Sequence, residues 1–296
     1  MRADAATRAD YLRSRSIRRL LAEVYGTGGP GAVFLVPGTL AGLRLMLPSL
    51  GVRSLVLSSE EYFDRGAFPA ARVDVVRPER LVARVVRRRP DAVVLSVVTW
   101  RGGRVALEEC FGEIRARLGG EAPVLVADYS HAGAAGFPRV TAAHADVVLG
   151  DVGKWITPPD WSDRLGFLWF RTASHRAAAR RAFLPFFLAG TLPKRPLEAR
   201  WVDPDAVARI VAWYRGHRVT RRKLLARHEA DMELARLVAE RCGVATPSTA
   251  LVWMPASAAG KVPAWAGGAG LLWRPPGGGA RVMCRSDVAP AGILTR

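Results

Sequence analysis

Two residues whose types and spacing could do chemistry close two apolar runs. Asp128 ends Val124-Leu125-Val126-Ala127, and Lys154 follows Val147-Val148-Leu149-Gly150-Asp151-Val152-Gly153, 26 positions later. A lysine amine can form a Schiff base with a carbonyl, and a buried carboxylate can keep a heterocyclic nitrogen protonated. An acid and a lysine at the ends of two buried strands are therefore what pyridoxal phosphate chemistry needs. The plainer alternative is a solvated loop lysine and a turn-forming or helix-capping Asp. Composition bears on the choice. The chain writes Arg 40 times and Lys only at 154, 194, 223 and 261. Arginine could not replace a Schiff-base lysine, because its guanidinium does not deprotonate.

The elements that must position this pair follow from periodicity. Residues 8–25 carry an apolar stripe (Tyr11, Ile17, Leu20, Leu21, Val24) and predict an amphipathic helix. A short strand at 32–36 leads through Pro37-Gly38-Thr39 into a helix at 40–50. Strands are expected at 53–58, 72–76, 92–98, 123–127, 146–149 and 166–170, with helices at 78–88 and 105–118. This alternation predicts an α/β fold with a mostly parallel sheet flanked by helices, in which ligands bind at the carboxyl ends of the strands. From Pro204 the pattern changes to helices at 204–215 and 217–241 and short strands near 249–254, 270–274 and 280–284, with Gly/Ala/Pro-rich loops at 256–270 and 275–280. The expectation is a large cofactor-binding domain over 1–215, with helix 8–25 as an arm, and a small C-terminal α+β domain over 216–296.

The net charge of +18 raises the possibility of nucleic-acid binding. The arginines are scattered rather than gathered, however, and no zinc-finger spacing or aromatic-basic RNA motif accompanies them, so no nucleic-acid partner is expected. No uninterrupted apolar stretch reaches the length of a membrane span, and Met1-Arg2-Ala3-Asp4 lacks the apolar core of a secretory signal. Cys110, Cys242 and Cys284 have neither metal-ligand spacing nor a disulfide framework. The expectation is a reduced, cytoplasmic protein without a bound metal.

Several segments resemble one family. Leu95-Ser96-Val97-Val98-Thr99-Trp100-Arg101-Gly102-Gly103 is similar to its strand and turn before the acid. Asp128-Tyr129-Ser130-His131 resembles an Asp-x-x-His element, Gly150-x-x-x-Lys154-Trp155 a Schiff-base segment, and Gly166-Phe167-Leu168-Trp169 the strand after it. Met283-Cys284-Arg285 is similar to the stretch with a substrate-carboxylate arginine. In this order and spacing they resemble the class V aminotransferase-like branch of fold type I pyridoxal phosphate enzymes, which includes isopenicillin-N-epimerase-like proteins, kynureninases and cysteine desulfurases.

The resemblance implies roles. Lys154 would be the Schiff-base lysine and general base, and Asp128 the partner of the pyridine nitrogen. His131 would hydrogen-bond near the ring hydroxyl or orient Asp128, or else pack a strand end. Gly38, Thr39 and Leu40 would hold the phosphate at a helix start, although Thr39 could equally be an ordinary cap. Tyr62 would stack on the ring, or be a core aromatic. Thr99 would contact the ring or substrate, and Trp100 the substrate. Arg285 would bind the α-carboxylate, with Arg281 and Arg274 as alternatives. Arg200 would supply charge to a partner subunit's phosphate site. The sequence departs from the family at Gly153, where His or Tyr is usual, at Asp151, an acid unfavourable beside a phosphate, and in a longer turn after Lys154. No cysteine stands where desulfurases place their nucleophile. The chain is expected to be a homodimeric enzyme acting at the α-carbon of an amino acid or amino-acid-derived substrate, an aminotransferase or lyase of specialised metabolism. A racemase or epimerase, or an inactive relative serving as a binding or scaffold protein, is the alternative.

Overall fold

The computed structural model describes residues 5–27, 33–63, 65–140, 145–157, 165–188, 204–268, 271–274 and 278–289. Among these, every expected apolar run becomes a strand. Seven form one sheet: β1 (Val33–Val36), β2 (Ser54–Ser58), β3 (Arg72–Val76), β4 (Ala92–Ser96), β5 (Val124–Asp128), β6 (Val147–Asp151) and β7 (Gly166–Phe170). Their spatial order is β1-β7-β6-β5-β4-β2-β3. Strand β7 runs antiparallel to both neighbours, and the pairings from β6 through β3 are parallel.

Side chains alternate across this sheet with the two-residue period of a strand. Leu55, Leu57, Ala92, Val94 and Val126 face one core, shared with Leu43, Met46 and Leu47 of α2 (Thr39–Ser49). Val56, Val93, Leu95, Leu125 and Ala127 face the other. That second layer holds α1 (Ala5–Tyr25), α3 (Leu81–Arg88), α4 (Leu107–Leu118) and α6 (Pro204–His217). The α1 stripe Ile17, Leu20, Leu21 and Val24 is buried there with Val207, Ile210 and Val211 of α6. Helix α5 (Ala173–Leu188) has no counterpart in the sequence reading. Its Ala- and Arg-rich start shows no apolar stripe, and Pro185 breaks the pattern, yet alanine is the strongest helix former.

Helix α7 (Arg221–Cys242) starts at a Thr220 cap whose hydroxyl accepts the Lys223 N–H. Its far half packs Leu234, Ala235 and Val238 against a second, antiparallel sheet of β8 (Leu251–Met254), β9 (Leu272–Trp273) and β10 (Ala280–Met283), in order β8-β10-β9. The expected loop at 256–270 is partly ordered: a 3-10 turn covers Ala256–Lys261 and a single helical turn, α8, covers Ala264–Gly268. The small sheet docks onto turns at the carboxyl ends of the large one. Thr249 Oγ1 donates to the Gly102 carbonyl at 2.7 Å, and the Ala250 N–H donates to the Ala134 carbonyl at 2.9 Å. Among the described residues no helix is long and apolar enough to cross a membrane.

One close approach fixes the Lys154 turn against the loop after β5. The Trp155 side chain lies directly on Gly133, where an added Cβ would come within 2.2 Å of Trp155 Cβ. Gly133→Ala should therefore destabilise the protein by about 1–3 kcal/mol through overpacking. Urea unfolding checks this, and an unchanged midpoint contradicts it.

Candidate active site

The parallel register brings chemistry-bearing residues to one edge. Ser96 pairs with Asp128 across β4 and β5, and Asp128 with Leu149 across β5 and β6. Glu61 and Tyr62 follow β2, and Lys154 follows β6. Strand β1 ends beside the start of β7, where Gly166 lies so close to α2 that a Cβ there would come within 3.0 Å of the Thr39 nitrogen.

Asp128 is buried. Its Oδ1 accepts the Ser130 N–H at 2.7 Å and the Ser130 hydroxyl, whereas among the described residues Oδ2 has the Ser96 hydroxyl alone, at 3.4 Å. Burial pushes its carboxyl above the ordinary range, only partly opposed by Ser130, Lys154 and Ser96. The carboxylates at the opposite ends of the strands behave differently. Burial would raise Asp146, but the Leu125 N–H, Arg171 and Arg115 outweigh it and hold its carboxyl low. Asp91 is held low by the Arg53 N–H and by Ser54. Those two are saturated structural clamps. Asp128 has no arginine partner among the described residues.

Lys154 Nζ lies 3.4 Å from His131 Nε2. The Trp155 indole N–H, a donor only, faces His131 Nδ1 at 3.4 Å. Nδ1 is then the acceptor, and the neutral imidazole carries its proton on Nε2, directed at the lysine amine. Burial first, then Lys154 and Arg281, hold the His131 pKa well below its usual value.

The Lys154 turn is built from below. Asp151 Oδ1 accepts the N–H groups of Gly153 at 2.7 Å and Lys154 at 3.0 Å. The acid that looked unfavourable in the sequence thus closes the turn that presents the lysine. Arg285 differs from its expected place. It is fully buried under this turn, with Nη1 donating to the carbonyls of Thr157 at 2.6 Å and Lys154 at 3.1 Å, and with Nε and Nη2 on Asp287. A guanidinium with most of its donors committed braces the turn instead of meeting a substrate carboxylate. Arg281, one of the alternatives, sits with its guanidinium 4.9 Å over the Tyr62 ring and 5.0 Å from the Trp273 ring.

Tyr62 stacks on His131, with centroids 4.5 Å apart and planes 20° apart, and its hydroxyl donates to the Thr99 carbonyl at 2.9 Å. This spacing admits no third ring between them, so Tyr62 could face a ligand ring there only by parting from His131. Thr99 Oγ1 accepts the Gly103 N–H at 3.0 Å and so serves its own turn. Trp100 packs edge-on against Trp253 and Trp273. Gly38 and Thr39 begin α2 with no side-chain cap on its N–H groups, and Leu40 packs partly buried beside the α2 core. Arg200 lies outside the described residues.

The sequence reading missed Glu61, a buried acid whose Oε1 accepts the Ser96 N–H at 2.8 Å and whose Oε2 is bonded to the Ser96 hydroxyl. Its signal was an acid just past an apolar strand, two strands from Asp128. A separate cleft of about 660 Å³ beside the edge strand β3 is lined by Arg77, Arg80, Arg84, Arg87 and Asp74 and contains none of these residues. No group of three or more metal-ligating side chains occurs among the described residues.

No protein-family model matches the sequence, and no curated protein matches it. Solved structures do. Alanine–glyoxylate aminotransferase from Nostoc sp. aligns with a TM-score of 0.68 and 15% identity over 100% of this chain and 87% of that one. A C-DES mutant with glycine covalently linked to its PLP cofactor aligns at 0.67 and 14%, over 99% and 86%. An aspartate aminotransferase mutant from Thermus thermophilus aligns at 0.61 and 17%, over 98% and 88%. At such identities the likeness is one of fold, and the chain has the mostly parallel, aminotransferase-like α/β fold of these enzymes.

The indole contact and the burial predict two properties of His131. Its ¹⁵N resonances should report Nε2 protonated and Nδ1 bare, without titration from about pH 7.5 to about 5.5. Because the folded pKa is depressed, the associated stability is complete above the unfolded value of about 6.5 and is lost as pH falls below it towards the folded pKa. A titration near about 6.5 contradicts this.

Proposed function

We propose that this chain is a pyridoxal-phosphate-dependent enzyme acting at the α-carbon of an amino acid or amino-acid-derived substrate. On this reading it is a cytoplasmic homodimer of the class V-like branch, an aminotransferase or lyase. The observation that carries the reading is the juxtaposition of Asp128, a buried carboxyl short of a cationic partner, with the Lys154 amine beside a neutral imidazole. The residues fit the cofactor. A pyridine N–H would complete Asp128 Oδ2, and the uncapped N–H groups at the start of α2 suit a phosphate.

When bound, pyridoxal phosphate supplies the electron sink that makes bonds at the α-carbon labile. Asp128 would keep the ring nitrogen protonated. The Lys154 amine would hold the cofactor through its carbonyl group and would be the base placed to move the substrate's α-proton. His131 would orient the Lys154 amine through Nε2. Arg281, rather than Arg285, would take the substrate carboxylate, with Trp100 as an apolar wall beside it. Arg200 would serve the partner subunit's phosphate. The small C-terminal unit, from about residue 216, would close over this edge through β8 and β10. The scaffold alternative loses one of its supports, because Asp151 has a positive role in shaping the lysine turn.

Adding pyridoxal phosphate should give wild type a visible band at roughly 410–430 nm that borohydride fixes and that responds to the right amino acid. Lys154→Ala should lack the band. Its absence from wild type at saturating cofactor would falsify the reading.

A further inference from the structure

Asp128 does not stand alone at this edge. The Ser96 hydroxyl lies between two buried carboxyls, bonded to Glu61 Oε2 and 3.4 Å from Asp128 Oδ2. A serine hydroxyl has one proton to donate. If both acids are ionised, only one of them receives it, and the bond to Glu61 is the shorter. If Glu61 is a neutral acid, its own O–H donates to Ser96 Oγ, and the serine proton is released to Asp128 Oδ2. We infer that Glu61 is a positioning residue for Asp128, acting through the Ser96 hydroxyl, which donates to Asp128 only while Glu61 is uncharged.

The surroundings of the two acids say which carries the proton. Asp128 receives both donors of Ser130 and faces Lys154. Among the described residues Glu61 receives Ser96 alone, and the charges that bear on it, Asp128 across the sheet and Glu60 beside it, are acidic. Tyr62, the next residue, is kept neutral by burial, and Arg281 interacts with Tyr62. Burial above all, then Asp128 and Glu60, push the Glu61 carboxyl up to about 8 against the opposing Ser96 bonds. Glu61 is therefore the member of the pair whose surroundings favour its keeping a proton near neutral pH. Ionising Glu61 would draw the serine proton back from Asp128 and set a second negative charge beside the first.

The sign for stability follows. A raised folded pKa means the contribution is complete below the unfolded value of about 4.3, is lost progressively as pH rises, and is gone above the folded value of about 8. Glu61→Gln imitates the neutral acid: its amide N–H donates to Ser96 Oγ and its oxygen accepts the Ser96 N–H.

The consequence for a bound pyridine rests on the reading above, but the test on cofactor-free protein does not. Infrared spectra of the wild type at pH 7 should contain a protonated-carboxyl C=O band that disappears through pH 8, and Glu61→Gln should lack it. The stability of Glu61→Gln relative to wild type should climb between about pH 4.3 and about pH 8 and then level off. No such band in wild type at pH 7 overturns the proposal without any variant. A band of undiminished intensity in Glu61→Gln means that Glu61 does not carry the proton and overturns it equally. With pyridoxal phosphate added, Glu61→Gln should keep its affinity within about threefold at pH 7, whereas Ser96→Ala, which lacks the bridging hydroxyl, should weaken it about tenfold. Equal affinities in Ser96→Ala and wild type contradict the relay. Failure of all three proteins to bind would instead remove the cofactor reading and leave the infrared result standing.

Discussion

A carboxyl group buried at the end of a central strand constrains everything around it. Asp128 is out of water, and its neighbours satisfy one oxygen well and the other poorly. Burying an ionised carboxylate without a cation is expensive, so such a group takes a proton, takes a partner, or destabilises the fold. Arg115 and Arg171 are spent on Asp146, at the opposite ends of the strands. At the carboxyl edge Lys154, one of only four lysines, lies 3.4 Å from the His131 imidazole. That distribution of charge sets Asp128 apart from the arginine-clamped Asp146.

The rest of the fold serves to hold that edge. Parallel pairing sets Ser96, Asp128 and Leu149 in register, which lines up the ends of three strands. The lysine turn is fixed from three sides. Asp151 closes it from within, Trp155 lies on Gly133, and Arg285 reaches from the strand end after β10 to bond its carbonyls. The last contact means that the small sheet does more than cover the site: it bonds directly to the segment that presents Lys154. Arg281 and Trp253 come from the same small sheet, so the mouth and the floor of the site are built partly from one unit.

Much of this was legible in the sequence, for a physical reason. Strands of a packed sheet are short, largely apolar runs, so the strands of both sheets were visible, and the residues ending the fifth and sixth drew attention by their chemistry. Helix α5 was not visible, because alanine gives it propensity without a stripe. The arginines could not be sorted by sequence. Arg281 and Arg285 are four residues apart near the same strand, and only packing shows one stacked on Tyr62 and the other buried beneath the lysine turn. Glu61 was hidden by its own context, since an acid after a strand reads as a turn residue until the neighbouring strands place Ser96 and Asp128 beside it.

The account turns on one amine. Reductive trapping of the protein with pyridoxal phosphate and borohydride, followed by proteolysis and mass spectrometry, identifies the lysine that carries the added group. The account predicts the label on the peptide containing Lys154, with Lys194, Lys223 and Lys261 essentially unmodified. A label on another lysine, or one spread over all four as for exposed amines, would contradict it.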